Sequence, residues 1–103
     1  MRKYETLILL SPDLGEEEHK EILDNLTGIV DREQGKILLV DDWGMRDLAY
    51  PVNKQTRGRY VRLEYACPPQ AVQELERNIR ITEGIWKFVS VKLEEEVKEE
   101  EAA

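Results

Sequence analysis

The chain has 103 residues, of which 41% are apolar and 36% charged, and its formal net charge is -7. This length fits one domain with a modest core, and no apolar run approaches the ~20 residues that a membrane helix requires. The start of the chain leads into alternating polar and apolar residues, so we do not expect a signal peptide. Cys67 is the only cysteine, which excludes an intrachain disulfide and favours the reducing cytoplasm.

The charge is distributed unevenly along the chain. Residues 94–101 hold six Glu and one Lys and so contribute -5, which leaves -2 for the first 93 residues. Residues 43–63 carry a net charge of +4. Because a local field attracts a phosphate backbone more than the total charge does, this basic segment suits a polyanion in spite of the acidic total.

The first third of the chain predicts a strand followed by a helix. Alternation over residues 2–10 places Tyr4, Thr6, Ile8 and Leu10 on one face of the strand and Leu7 and Leu9 on the other. Asp13 and Glu16 have the spacing of a capping box, and the helical periodicity that follows runs to about Glu33. Gly35 is predicted to stop the helix.

Residues 37–67 predict a long β-hairpin. The first strand begins with the apolar run to Val40 and stays extended through Leu48, with Gly44 as a bulge or bend. Pro51 lacks a backbone donor and therefore indicates an edge strand or a strand end. We predict a polar loop over residues 53–58 and the next strand over residues 59–67.

The last third predicts a helix, a strand and a tail. The helix begins at Pro68 and Pro69, and a strand follows over residues 85–93. We therefore divide the chain into a folded domain, residues 1–93, and an acidic tail, residues 94–103, which is too charged to order without a partner. The order βαββαβ is typical of an α+β, ferredoxin-like sandwich: a four-stranded antiparallel sheet with two helices on one face. The first and third strands are expected to be central.

The residues that could support catalysis are scattered. His19 is expected on the solvated face of the first helix, and a lone histidine is poor evidence for a metal site. Cys67 is expected to be a small core residue, and Asp41 and Asp42 alternate between strand faces. The sequence contains no phosphate-binding glycine loop. We therefore predict neither an enzyme nor a bound metal or cofactor.

The cations near the predicted hairpin loop and at the chain start have two interpretations. They are Lys54, Arg57, Arg59, Arg2 and Lys3. One interpretation is phosphate contacts, which the lack of an acid between residues 53 and 61 favours. The other is that Arg57 and Arg59, together with Arg62 on the same strand, form solvated cross-strand pairs with neighbouring acids, each worth well under ~1 kcal/mol. The residues alone do not decide between them.

The aromatic residues beside this loop also have two interpretations. Trp43 and Tyr50 could stack on exposed bases, as in four-stranded RNA-binding sheets. They are equally well explained by packing at a sheet edge or against a protein. The strand over residues 59–65 lacks the glycines and phenylalanines of the RNA-recognition motif, so base readout is not the favoured hypothesis.

The run from Gly44 to Val52, G-M-R-D-L-A-Y-P-V, closely resembles the signature of the family of the sixth protein of the bacterial small ribosomal subunit. The opening M-R-K-Y-E, the length and the order of elements agree with the same family, and the resemblance covers about residues 1–93. Val52 stands where that pattern usually has Ile, a loss of one methylene.

The resemblance implies a structural protein that binds the central domain of small-subunit rRNA as a heterodimer with ribosomal protein eighteen. By that analogy Arg46, Leu48 and Tyr50 belong to the edge that faces the partner or the RNA, and Arg2 and Lys54 are phosphate contacts. To these we add Arg80 as a further RNA contact and Trp43 as a partner contact. The acidic tail, here Glu94, Glu95 and Glu96, would extend along the basic partner.

Two other functions fit the same predicted fold. A homodimeric regulatory domain that binds a metabolite would need a polar pocket at the strand–helix turns, and residues 11–13 offer little of one. An enzyme of the acylphosphatase type would need an anion-binding loop with an arginine after the first strand, and residues 11–15 contain no arginine.

Overall fold

The computed structural model describes residues 2–52 and 54–94, with the side chain of Glu94 excepted. Its elements follow the predicted order: β1 Arg2–Leu10, α1 Glu16–Arg32, β2 Lys36–Val52, β3 Gln55–Cys67, α2 Pro69–Ile81 and β4 Ile85–Glu94. The predicted tail from residue 95 onwards lies outside the described residues. Within them, no helix is long and apolar enough to cross a membrane.

The four strands form one sheet in the order β2-β3-β1-β4, and all the neighbouring strands are antiparallel. The prediction that the first and third strands are central is confirmed. β2 is an edge strand, which explains how it accommodates Pro51 without losing a bond of the ladder.

Both helices cover one face of the sheet and bury the core against it. The predicted faces of β1 are confirmed, since Ile8 and Leu10 are completely buried in this core. A buried polar group on this face is satisfied: the Thr6 hydroxyl lies 2.7 Å from the Tyr65 hydroxyl and 2.9 Å from that of Ser90. Burial raises the pKa of Tyr65 to about 12. Among the described residues, no helix covers the opposite face of the sheet, which is called the open face below.

The predicted capping box of α1 is wrong. The N-cap is Gly15, with no side-chain hydrogen bond, while the Asp13 N–H binds the Ser11 hydroxyl at 3.2 Å in the preceding turn. At the other end the predicted stop is confirmed, but the left-handed residue is Gln34, at φ 68°, rather than Gly35. The N–H groups of Gln34 and Gly35 bind the carbonyls of Asp31 and Val30, the pattern of a Schellman motif.

The predicted loop over residues 53–58 is also wrong. β3 begins at Gln55, which pairs with Val52, so the hairpin turn is shorter than predicted. Lys54 lies in this turn with a left-handed φ of 65°. Arg57 and Arg59 therefore lie on a strand, where Arg57 is opposite Asp47 of β2 and Arg59 is opposite Met45.

Candidate protein and RNA interface

A bulge in β2 brings Trp43 and Arg46 to the same face of the sheet. Asp42 lies opposite Val61 and Gly44 lies opposite Tyr60, so Trp43 is inserted without a partner. Gly44 has a φ of +74°, which favours glycine, and its N–H binds the Asp42 carboxylate at 2.9 Å. The predicted bulge at this glycine is confirmed. Because the insertion shifts the alternation by one residue, Arg46 lies on the open face with Trp43.

Trp43, Arg46 and Tyr60 line an open pocket of about 400 Å³. The two aromatic ring centroids are 6.3 Å apart, at an interplanar angle of 45°. The indole N–H donates to Asp41 at 2.9 Å, which fixes the ring although Trp43 is exposed. Among the described residues, the Arg46 guanidinium has no ion-pair or hydrogen-bond partner.

The end of the hairpin joins apolar and basic residues. Leu48, Tyr50 and Val52 line a second pocket with Leu9 and Tyr60. The side chain of Tyr50 is 81% exposed, which is unusual for so large an apolar group. Leu48 is half-buried beside it. The structure thus places these two predicted partner contacts next to the basic hairpin turn, on the side of the open face.

The cations predicted as phosphate contacts have different surroundings. The exposed turn residue Lys54 has no side-chain ion pair within the described part of the chain. Arg57 forms an exposed pair with Asp47 at 3.3 Å, which is weak in solvent. Lys3 pairs with Glu64 at 3.6 Å, while Arg2 is exposed at the start of β1.

Two further predicted contacts lie away from the turn. Arg80, in the last turn of α2, stacks its guanidinium over the Phe88 ring at 5.4 Å from the centroid. Glu94 closes β4, but its side chain lies outside the described residues, as do Glu95 and Glu96.

Arg59 lies on the helix side of the sheet in an ion-pair network. Its guanidinium contacts Asp42 at 2.6 Å and Glu16 at 3.4 Å, and only 20% of the side chain is exposed. The hydrogen bond from Arg59 is the largest cause of the lowered pKa of Asp42. The reading of Arg59 as a loop residue without a nearby acid is wrong, because the acids come from β2 and α1.

His19 completes this network and corrects another expectation. The prediction of a solvated surface histidine is wrong: the side chain is buried, with Nε2 at 3.2 Å from the Asp42 carboxylate. Among the described residues, Nδ1 has no hydrogen-bond partner. The network ties the first turn of α1 to β2 and β3, so its role is to join these elements.

The open face carries a second ion-pair network, around Arg62. Its guanidinium lies 3.1 Å from Glu5, 3.0 Å from Glu64 and 3.8 Å from Asp41. This is the cross-strand pairing that one interpretation of the basic residues expected. With Lys3, which pairs with Glu64, this part of the open face holds two cations against three carboxylates and so carries a small negative net charge.

Residues able to perform catalysis are not assembled in the described part of the chain. No group of three or more potential metal ligands occurs among residues 2–52 and 54–94. Burial raises the pKa of the Cys67 thiol to about 11, which keeps it protonated and unreactive at neutral pH. Tyr60 is not predictable as a candidate from the sequence, because its pockets form only where the bulge in β2 and the end of the hairpin bring other side chains to it.

Residues 3–92 match the family model described as ribosomal protein S6. A small ribosomal subunit protein bS6 of Nitratidesulfovibrio vulgaris is 62% identical over 96% of this chain and 98% of its own length. A protein of the same name from Clostridium novyi is 43% identical over 88% of this chain and 96% of its own length.

Two solved structures share the fold. The 30S ribosomal protein S6 of Thermotoga maritima superposes with a TM-score of 0.84 at 31% identity, covering 89% of this chain and 87% of that one. The C-terminal domain of the MgtC protein from Mycobacterium tuberculosis superposes with a TM-score of 0.65 at 7% identity, covering 91% of this chain and 89% of that one. The second likeness shows the fold alone.

Proposed function

This chain belongs to the ribosomal protein S6 family, and we propose that it binds the central domain of small-subunit rRNA together with ribosomal protein eighteen. It is a structural protein of the small ribosomal subunit and not an enzyme. Its partners are rRNA and other ribosomal proteins, and its proposed location is the ribosome in the cytoplasm.

The observation that carries the proposal is the composition of the hairpin end. Exposed cations, Arg46 and Lys54, lie beside the exposed ring of Tyr50 and the half-buried side chain of Leu48. Cations without acidic partners are free to contact phosphates, whereas exposed aromatic and aliphatic groups gain free energy when a protein covers them. One end of the sheet therefore suits an RNA and a protein that bind together.

The remaining cations differ in the ion pairs that each would have to break in order to contact RNA. Arg2 and Arg80 are exposed, and Arg57 would give up only a solvated pair with Asp47. Lys3 and Arg59 would have to exchange existing pairs with Glu64 and with Asp42 and Glu16. We therefore assign the main phosphate contacts to the first group.

The acidic total charge is compatible with this function if a basic protein binds at the same time. The chain carries -7, so on its own it is repelled by a polyanion at long range. We propose that the tail, residues 94–103, extends along ribosomal protein eighteen and neutralises part of its charge. The folded domain, residues 1–93, then needs only a few phosphate contacts of its own.

The test removes Arg46 and Lys54 together. With both changed to alanine, binding to a central-domain rRNA fragment in the presence of ribosomal protein eighteen should weaken. The slope of log affinity against log salt should become shallower by roughly 1.5, because two phosphate contacts are lost. The readout is filter binding between about 50 and 200 mM salt, the range over which such contacts change affinity strongly.

The matched control changes Lys20 and Arg32 to alanine. These cations are exposed on α1, so the variant has the same net charge without touching the proposed contacts. It should keep the wild-type slope. If the double variant of Arg46 and Lys54 has the same slope as this control, the assignment of the two residues to RNA is wrong.

A further inference from the structure

The carboxylate of Asp42 links the bulge in β2 to the two elements that lie next to it. Its Oδ1 atom accepts the Gly44 N–H at 2.9 Å and the Nε–H of Arg59 at 3.3 Å. Its Oδ2 atom accepts a second N–H of Arg59 at 2.6 Å, and Nε2 of His19 donates to it at 3.2 Å. Paired, charge-assisted bonds of this kind fix the orientation of a carboxylate as well as its position. Asp42 is therefore held by β3 and α1 while it binds a backbone group of β2.

The bulge that Asp42 binds determines on which face of the sheet Arg46 lies. In the ladder, Asp42 is opposite Val61, and both lie on the helix side. Four residues further along a regular strand, Arg46 would be opposite Arg57, again on the helix side. It is instead opposite Gly58, on the open face. Because a change of register by one residue turns every following side chain to the other face, Arg46 is presented on the open face only when the bulge is present.

The bulged conformation depends on stabilising contacts. Gly44 has a φ of +74° and Trp43 lies outside the register, so this part of β2 loses regular pairing. An aspartate that accepts the N–H two residues further on stabilises turns of this kind. The hydrogen bond from Arg59 lowers the pKa of Asp42, which keeps this acceptor ionised at neutral pH. Loss of the carboxylate would therefore remove a bond that favours the bulged register over the regular one.

We propose that Asp42 is a positioning residue, which holds the β2 bulge from the helix side of the sheet and so directs Arg46 to the face where it contacts RNA. The inference rests on the proposed function, because it takes Arg46 as a phosphate contact, and it adds a residue that acts without touching the RNA. His19 and Arg59 act one step further away, since they hold the carboxylate rather than the bulge.

The first test determines the register of the hairpin by NMR, in the absence of RNA. The wild-type chain should show cross-strand contacts between Arg46 and Gly58. In Asp42→Ala, which removes the acceptor of the Gly44 N–H, these contacts should weaken and contacts between Arg46 and Arg57 should appear. The Asp42 side chain is 33% exposed, so the variant should fold, which thermal unfolding checks. A wild-type register in Asp42→Ala overturns the inference.

Asp42→Asn is the matched control for charge. It removes the same negative charge as Asp42→Ala, but it keeps a side-chain oxygen for the Gly44 N–H, so it should retain the wild-type register. Electrostatics alone predicts tighter RNA binding for both variants, because the loss of a carboxylate reduces repulsion of a polyanion. The inference predicts weaker binding for Asp42→Ala only. Equal RNA affinity of the two variants overturns it.

The second test asks whether Asp42 acts through Arg46. Asp42→Ala and Arg46→Ala should each make the slope of log RNA affinity against log salt shallower by roughly 0.7–0.9, the effect of one phosphate contact. The measurement is made with ribosomal protein eighteen present. The double variant should lose no more than either single variant, whereas Asp42→Ala combined with Arg2→Ala, on β1, should show the sum of the two effects.

The outcomes separate the inference from the proposed function. A further loss of slope in the double variant of Asp42 and Arg46 shows that Asp42 acts by another route and overturns the inference, while the proposed function stands. A wild-type slope in Arg46→Ala alone shows that the proposed RNA contact is wrong. In that case the NMR register decides whether Asp42 positions Arg46.

Discussion

Replacing Gly35 by alanine should destabilise the fold by about 3 kcal/mol. A Cβ at this position would lie 2.8 Å from the Cβ of Cys67 and 2.9 Å from the carbonyl oxygen of Ala66. Both atoms are fixed by the backbone of the central strand β3, so neither can move aside by a side-chain rotation. A third contact, 2.8 Å to Val30, involves a β-branched side chain with little rotameric freedom in a helix. Overpacking of this kind costs about 1–3 kcal/mol, and three contacts place Gly35 at the upper end.

The assay is thermal and denaturant unfolding, with Gly28→Ala as the control. Gly28 is exposed in α1, and a Cβ there would meet nothing within 4 Å. That substitution should stabilise the protein by about 1 kcal/mol through helix propensity. For a chain of this size, the midpoint should fall by roughly 12–24 °C in Gly35→Ala and rise by about 4–8 °C in Gly28→Ala. Equal shifts, or a neutral Gly35→Ala, would refute the packing argument.

Two further predictions concern the ion-pair network and the tail. Asp42→Asn should lower stability at pH 7 by about 1 kcal/mol, the scale of a partly exposed charge-assisted hydrogen bond. Because Arg59 lowers the pKa of Asp42, the wild-type stabilisation is present above the unfolded-state pKa of Asp42 and is lost as the pH falls below it. Urea unfolding from pH 7 to pH 3 should therefore show a smaller loss of stability in the variant than in the wild type, and an equal loss would contradict this. Deleting residues 94–103 should leave the unfolding midpoint unchanged but weaken affinity for ribosomal protein eighteen, measured by calorimetry at low salt. Unchanged affinity would remove the tail from the interface.

The regular elements could be predicted because their signals are local. The buried face can be predicted from the alternation over Arg2–Leu10 and from the helical spacing around Leu26, because neither pattern depends on distant residues. The α1 start was mispredicted, because Asp13 and Glu16 have capping spacing, yet the chain turns at Ser11 and begins the helix at Gly15. Capping spacing alone does not say which residue adopts the N-cap conformation.

The site was harder to predict because its contacts depend on strand register. Arg59 has no acid near it in sequence, but the pairing of β2 with β3 puts Asp42 within 2.6 Å. Trp43 and Arg46, three residues apart, would lie on opposite faces of a regular strand, and the bulge at Gly44 brings them together. The basic segment and the edge strand were thus predictable from composition and from Pro51, but the surface around Tyr60 was not.

The most direct test of the joint binding measures the affinity of the chain for a central-domain rRNA fragment with and without ribosomal protein eighteen at fixed physiological salt. The acidic net charge of the chain and the small number of unpaired cations among its described residues predict weak binding alone and at least ~100-fold tighter binding with the basic partner, a coupling of ~2.7 kcal/mol. Equal affinity in the two conditions would contradict the proposal that a protein and an RNA occupy this end of the sheet together.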